Sequence, residues 1–215
     1  MSKSSYPACI TNPQRSCWDV SGLSFLEIFK LHWAPLLGER AAGFTWAFER
    51  LEHLFRRYYC IIETGCMRDL YRPFDFAKDG CSTLLFDRYI QHAGGVLYSV
   101  DASLRAVQYA KRFVSEQTLV AQHDSILFLR SLGVTRIDLL YLDSLDYIES
   151  NRRVAEEWHL FELTTAFKWL RPGSMVMVDD NYADGSGKGA LIRKFFRAYG
   201  LEPAYAGRQL GWIMP

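Results

Sequence analysis

Two hydrophobic rhythms divide this chain. Between residues 24 and 57 apolar positions recur at helical spacing: Phe25, Ile28, Phe29 and Leu31 to Trp33, then Phe44, Phe48, Leu51, Leu54 and Phe55. That period is the stripe of an amphipathic helix. Pro35 and Gly38 interrupt the stripe and predict two helices rather than one. From residue 58 onward short apolar runs alternate with longer amphipathic stretches. The runs 58–63 (YYCIIE), 96–100 (VLYSV), 119–122, 137–142 (IDLLYL) and 175–178 (MVMV) read as five strands. Helices are predicted over 82–92, 104–113, 126–132, 154–170 and 190–199, with Pro172-Gly173 and Gly200 as stops for the last two. The tail, 202–206 and 210–214, reads as a final strand pair around Gly207-Arg208.

Continuous apolar runs, rather than alternating ones, are the mark of strands buried on both faces. Strand–helix alternation repeated five times predicts an α/β, Rossmann-like three-layer sandwich: a mostly parallel seven-stranded sheet with a C-terminal antiparallel strand pair, plus N-terminal helices. Residues 1–20 carry no such rhythm and are expected to be irregular. No repeat or linker divides the chain, and 215 residues suit one core.

Composition adds exclusions. With 25 basic against 24 acidic residues the net charge is +1, so no nucleic-acid partner is expected. No apolar stretch approaches the length of a membrane span, and the N-terminus lacks the apolar core of a signal peptide. Five cysteines (Cys9, Cys17, Cys60, Cys66 and Cys81) form no metal-type spacing, and their odd number argues for a reduced, cytoplasmic setting.

Candidate chemistry sits where the strands end, the edge at which open α/β sheets bind ligands. The first strand runs into Glu63-Thr64-Gly65, and a glycine there allows close approach of a ligand or simply a turn. The second ends in Asp101, suited to ribose hydroxyls or to capping the next helix. The third leads to His123-Asp124, with Asp124 either accepting from an adenine amine or capping a helix. The fourth ends in Asp143 and the fifth in Asp179-Asp180-Asn181. Oxygen side chains converging from these two ends would suit a hard divalent cation, or would cap helices and pair with basic residues. A nicotinamide site is disfavoured, because no intact G-x-G-x-x-G follows the first strand.

On these residues the chain resembles the class I S-adenosylmethionine-dependent methyltransferases, from about Tyr58 to the C-terminus. The resemblance implies residues 1–57 as an irregular and helical extension and 58–215 as the methyltransferase domain. It implies a cofactor site of Glu63, Gly65, Gly80, Ser82, Thr83, Asp101 and Asp124. The helix start near Gly80, Ser82 and Thr83 would hold the methionine carboxylate, Asp101 the ribose and Asp124 the adenine. The glycine-rich turn departs from the family pattern: Cys66-Met67-Arg68 replaces further glycines, and a long loop runs to Asp79-Gly80. The acids after strands four and five are similar to those of metal-dependent small-molecule and sugar O-methyltransferases. That likeness implies a Mg²⁺-like ion on Asp143, Asp180 and Asn181, or on Asp179 with Asp180.

A general base is less well marked. Relatives that act on catechols place a lysine after the strand-four acid, where this chain has Ser144-Leu145-Asp146. Asp143 would take part through the metal, and Asp146 and His159 are the remaining catalytic candidates, with Glu162 placed to orient His159. The segment Asp184-Gly-Ser-Gly-Lys-Gly189 lacks the spacing of a phosphate loop. It reads instead as a mobile loop whose Lys188, with Arg68 and Arg72, is a solvated charge in the first instance and is otherwise free to meet substrate. The expected reaction is methyl transfer to a hydroxyl of a saccharide or other small molecule, with a catechol-like phenol as the second choice of acceptor. The alternatives are a metal-independent N- or protein methyltransferase and a non-catalytic binding module. The N-terminal helices are expected to cover the substrate or to form a homodimer contact.

Overall fold

The computed structural model describes residues 22–68 and 74–215. The expectations for 1–20, Cys9, Cys17 and Arg72 lie outside the described residues. Two N-terminal helices, α1 (Phe25–His32) and α2 (Ala41–His53), flank short 3₁₀ turns at Ala34–Leu36 and Gly38–Arg40, as Pro35 and Gly38 predict. Ser24 starts α1 in a capping box: its hydroxyl accepts from the Glu27 amide, and Glu27 accepts from the Ser24 amide.

The alternation then follows as β1 (Tyr59–Thr64), α3 (Ser82–Ala93), β2 (Gly95–Asp101), α4 (Leu104–Ala110), β3 (Thr118–Gln122), α5 (Ser125–Ser131), β4 (Ile137–Leu142), α6 (Arg152–Ala166), β5 (Leu170–Val178), α7 (Ala190–Ala198), β6 (Tyr205–Ala206) and β7 (Leu210–Ile213). The seven strands lie in the order β3-β2-β1-β4-β5-β7-β6. β1 to β5 pair in parallel, and β7 is antiparallel to both β5 and β6. This is the architecture predicted.

The helix expected over 104–113 ends at Ala110 and the strand expected over 202–206 starts at Tyr205, and the largest differences lie at the start of β5. The helix expected over 154–170 ends at Ala166, a 3₁₀ turn covers Phe167–Trp169, and Pro172-Gly173 fall inside β5. The β4–β5 register jumps there, from Ile137 opposite Leu170 to Leu139 opposite Met175. Residues 171–174 bulge out of the ladder, where Pro172 has no amide to donate and Gly173 has φ +86°.

The sheet separates two apolar layers, and successive strand residues serve opposite layers. Tyr59, Ile61, Leu139, Tyr141, Met175 and Met177 pack with α1, α2, α3 and α4. Ile62, Leu140, Leu142, Val176 and Val178 pack with α5, α6 and α7. Phe25, Phe29, Trp33, Phe44 and Phe48 of the N-terminal segment are fully or almost fully buried in the first layer. The rings interlock edge to face, Phe25 with Phe48 at 4.7 Å and Phe29 with Phe48 at 4.9 Å. The segment before residue 58 therefore shares a core with the sheet. No helix among the described residues is long and apolar enough to cross a membrane.

Candidate functional site

β1 and β4 are neighbours in the sheet, yet their helices pack on opposite faces. Beyond their carboxyl ends lies a crevice at the topological switch point, the usual ligand position in such sheets. The two chain ends are stitched together there. The Asp143 amide donates to Thr64 O at 2.8 Å, and the Gly65 amide to Val100 O at 2.7 Å. Gly65 has φ +83°, and a β-carbon on it would overlap the Asp143 backbone carbonyl. Only glycine fits both constraints.

Three hollows run along this edge. An apolar slot of about 220 Å³ lies between Val100, Ala102, Asp124, Leu145 and Trp158. A narrow groove of about 10 Å³ follows between Gly65, Cys66, Ser82, Asp101 and Ser144. A polar cavity of about 260 Å³ comes last, between Arg40, Arg68, Asp143, Asp146, Tyr147 and Arg208. Asp101 and Ser144 line both slot and groove. Arg68, Asp79 and Asp143 line both groove and cavity. The hollows are thus consecutive parts of one cleft.

Four predicted cofactor residues line it: Gly65, Ser82, Asp101 and Asp124. Asp101 accepts from the Cys66 amide at 3.1 Å and the Ser103 amide at 2.7 Å, which fixes its carboxylate at the groove wall. Asp124 caps α5 by accepting from the Leu127 amide at 2.9 Å, so the capping reading holds while the residue still faces the slot. Glu63 and Thr83 do not reach the cleft. Both are fully buried, with Glu63 Oε2 accepting from Thr83 Oγ1 at 2.6 Å and Ser99 Oγ at 2.5 Å. Thr83 in turn accepts from the Met67 amide at 2.8 Å, so the pair anchors the loop from below. Burial pushes the Glu63 carboxyl up to about 7. Gly80, with φ +78°, packs against the Arg40 stem and lines none of the three hollows.

His159 is sealed inside the α6 side of the sheet. It is fully buried, its Nδ1 lies 2.6 Å from Ala155 O, and burial pushes its pKa down to about 3. A neutral, enclosed imidazole with so low a pKa is unsuited to take a substrate proton near neutrality. Glu162 does not orient it but accepts from Thr64 Oγ1 at 3.1 Å. Asp146, by contrast, lines the polar cavity and is held by both terminal nitrogens of Arg68 at 3.1 and 3.0 Å. Burial alone would raise its pKa, but the Arg68 guanidinium holds it below the usual carboxylate range. Arg68, expected free, is thus paired with Asp146, and its amide donates to Asp79 at 3.1 Å.

The acids after β4 and β5 do meet. Oxygens of Asp143, Asp179 and Asp180 lie within 4.8 Å of one another. Asp180 has φ +53°, in the left-handed backbone region. Asn181 does not join them: its amide nitrogen donates to Val178 O at 2.9 Å and Asp179 O at 3.1 Å, and its oxygen accepts from the Gly189 amide at 2.9 Å. It pins the 181–189 loop instead.

What sequence reading missed is the basic shell around the acids. Arg40, after α1, reaches Asp179 with Nε at 2.7 Å and Asp180 at 3.0 Å. Arg208, before β7, meets Asp180 at 2.5 Å. Lys188 lies between Asp143 and Asp180, the latter at 3.0 Å, with no exposed surface at all. The expectation of a mobile loop with a free lysine is therefore corrected. Burial alone would lower the Lys188 pKa, yet Asp143, Asp180 and Asp179 hold it above the usual lysine range.

Three carboxylates are thus matched by three cations. The donor set suits a Mg²⁺-like ion in type and spacing, and Asp179 Oδ1 has no partner among the described residues. The charge balance does not suit it. A dication about 4 Å from the Lys188 ammonium would meet repulsion of about 8 kcal/mol at an effective dielectric of about 20. With Lys188 in place these residues do not fit the ion.

No family model matches the sequence, and no curated protein matches it. Solved structures match in shape. The ribosomal protein L11 methylase of Lactobacillus delbrueckii subsp. bulgaricus has a TM-score of 0.50 at 12% identity, over 80% of this chain and 77% of that one. The O-methyltransferase NovP has a TM-score of 0.54 at 14% identity, over 87% and 78%. The fold is the Rossmann-like fold of these methyltransferase structures. A third methyltransferase structure, MycE from the mycinamycin pathway in complex with Mg and SAH, has a TM-score of 0.55 at 12% identity. The match covers 89% of this chain but 54% of MycE. Among these similar structures are one named for an O-methyltransferase and one for a ribosomal protein methylase, so the methyltransferase fold itself leaves the acceptor open.

Proposed function

We propose that this chain transfers a methyl group from S-adenosylmethionine to an oxygen of a small polar acceptor, a saccharide or other polyhydroxylated molecule. The observation that carries the reading is the order of the three hollows along the switch-point crevice. An apolar slot, a carboxylate-walled groove and a polar cavity follow the order of an adenine ring, a ribose with its methionine arm, and a hydroxylated acceptor, with the groove of about 10 Å³ having to widen to admit the ribose. When bound, S-adenosylmethionine supplies a sulfonium methyl that an oxygen lone pair displaces, leaving the electrons of the broken C–S bond on sulfur.

The chain's own residues have four tasks in this scheme. Trp158 and Val154 shelter the slot from water, and Asp101 accepts hydrogen bonds at its inner end. Asp146, fixed by Arg68, orients an acceptor hydroxyl by accepting its hydrogen bond, and the hydroxyl proton is released to water in the polar cavity. Tyr147 and Arg208 offer hydrogen-bond donors to further hydroxyls on the cavity wall. The Asp143–Lys188 pair stiffens the junction between groove and cavity. No step is assigned to a divalent cation.

The test is transfer of isotope-labelled methyl from S-adenosylmethionine to a panel of saccharides, polyols and catechols, with products located by mass spectrometry. Label on oxygen supports the proposal. Label on nitrogen, or on a protein or RNA acceptor, would replace it. A second reading, a binding module without catalysis, is favoured by one observation. The central groove holds only about 10 Å³, and the Met67–Thr83 and Arg68–Asp79 bonds keep it narrow. Cofactor bound without turnover on any acceptor would support that reading.

A further inference from the structure

We infer that Lys188 is a built-in cation that occupies the divalent-ion position of the acid cluster, so that Asp143, Asp179 and Asp180 work without a bound metal. Three observations carry this. Lys188 is wholly buried, although its segment is rich in polar and small residues and sits at a loop. Its ammonium bridges the acid after β4 to the acid after β5, the same two strand ends that a dication would bridge. The loop around it is built for this position.

That third point rests on the two flanking glycines. Gly187 has φ +124°, and a β-carbon there would lie 2.6 Å from Asn181 Cα. A β-carbon on Gly189 would lie 2.7 Å from Asn181 Oδ1, the atom that accepts from the Gly189 amide. Residues on either side of the lysine are therefore small because the loop folds flat onto the acids. An antiparallel bridge between Asn181 and Gly187, and the Lys188 amide donating to Asp180 O at 3.2 Å, hold it there. The glycine-lysine-glycine pattern, which fails as a phosphate loop, is explained as a tight hairpin that delivers one ammonium into a carboxylate pair.

Charge decides between a lysine and a metal. Arg40 already pairs with Asp179 Oδ2, and both Arg40 and Arg208 pair with Asp180 Oδ1. With Lys188 the cluster is neutral, whereas a dication added to it would leave two uncompensated positive charges in a buried site. In this account Lys188 is a positioning residue. It lines none of the hollows along the cleft but holds Asp143 and Asp180 at the cavity wall.

The experiment reads Mn²⁺ binding on the cofactor-free protein by electron paramagnetic resonance, which reports free ion directly. It can therefore fail while methyl transfer stands, and the reverse. Wild type should show no site abolished by Asp143→Asn up to millimolar Mn²⁺. Lys188→Met, checked for folding by circular dichroism, should gain one site. Its dissociation constant should lie roughly 100-fold or more below the millimolar concentration at which wild type shows no such site, the conversion of an uncompensated buried charge into binding. Adding Asp143→Asn to Lys188→Met should remove the new site, and Lys188→Arg should not create it. Should Lys188→Met fail to fold, Lys188→Gln serves in its place. A wild-type Mn²⁺ site lost in Asp143→Asn would overturn the inference. So would a folded Lys188 variant that gains no site.

Discussion

Arg40→Met removes the cation that ties the N-terminal segment to the acids after β5 while keeping an unbranched stem of similar length. In the native protein the Arg40 side chain is 9% exposed and Asp179 is 1% exposed. Nε donates to Asp179 at 2.7 Å, one terminal nitrogen to Asp180 at 3.0 Å, and the other to the carbonyls of Ala77 and Lys78 at 3.3 Å. The substitution leaves Asp179 buried with neither oxygen satisfied, since its Oδ1 has no partner even in the native protein. Removing one partner of a buried pair costs about 3–5 kcal/mol. At about 2–4 °C per kcal/mol for a chain of this size, the midpoint of thermal unfolding should fall by roughly 6–20 °C. Differential scanning calorimetry of wild type, Arg40→Met, Asp179→Asn and the double variant gives the coupling as well. The double variant should lose less than the summed singles by about 1–3 kcal/mol. A drop below about 2 °C for Arg40→Met, with additive energies, would refute the buried-pair reasoning.

Three further outcomes follow from buried groups. Glu63 has a folded pKa of about 7, raised by burial above 4.5. The folded state therefore binds this proton more tightly, and the contribution of Glu63 to stability is full below about pH 4.5 and is lost as pH rises through about 7. Glu63→Gln should remove a share of that decline on the order of 3 kcal/mol, read as the difference between urea midpoints at pH 5 and pH 7.5; an unchanged difference contradicts it. The His159 imidazole, held down to about 3, should show no titration between pH 5 and 8 in histidine NMR spectra, whereas a midpoint near 6.5 would place it in contact with solvent. Gly65→Ala, whose methyl would overlap the Asp143 carbonyl, should destabilise the fold by about 2 kcal/mol or more and weaken cofactor binding, and wild-type values for both would mean the crevice is not closed as described.

The fold was legible because buried parallel strands leave continuous apolar runs, and β1 to β4 were located to within one or two residues. The start of β5 was not, since Arg171-Pro172-Gly173 carries the marks of a helix stop and a bulge hides the strand behind them. At the site, residues attached to strand ends were legible. Gly65, Asp101, Asp124, Asp143 and Asp180 all reach the crevice edge because strand polarity alone places them there. Glu63 lies buried below the cleft, since a strand-end acid pointing inward has the same sequence as one pointing out, and Thr83 at the start of α3 is its buried partner. Arg40 and Arg208 were invisible because ion pairs between distant segments leave no local pattern. Lys188 had a usable signal: glycines on both sides of a lone lysine mark a segment that lies flat against something.

The central claim, a cleft for S-adenosylmethionine, is tested most directly by isothermal calorimetry with S-adenosylmethionine on wild type and Asp101→Ala. Saturable one-to-one binding is expected, weakened in Asp101→Ala by about 1.5–3 kcal/mol, or roughly 10- to 150-fold. No heat of binding at millimolar ligand, or equal affinity in the two proteins, would contradict the assignment of the crevice.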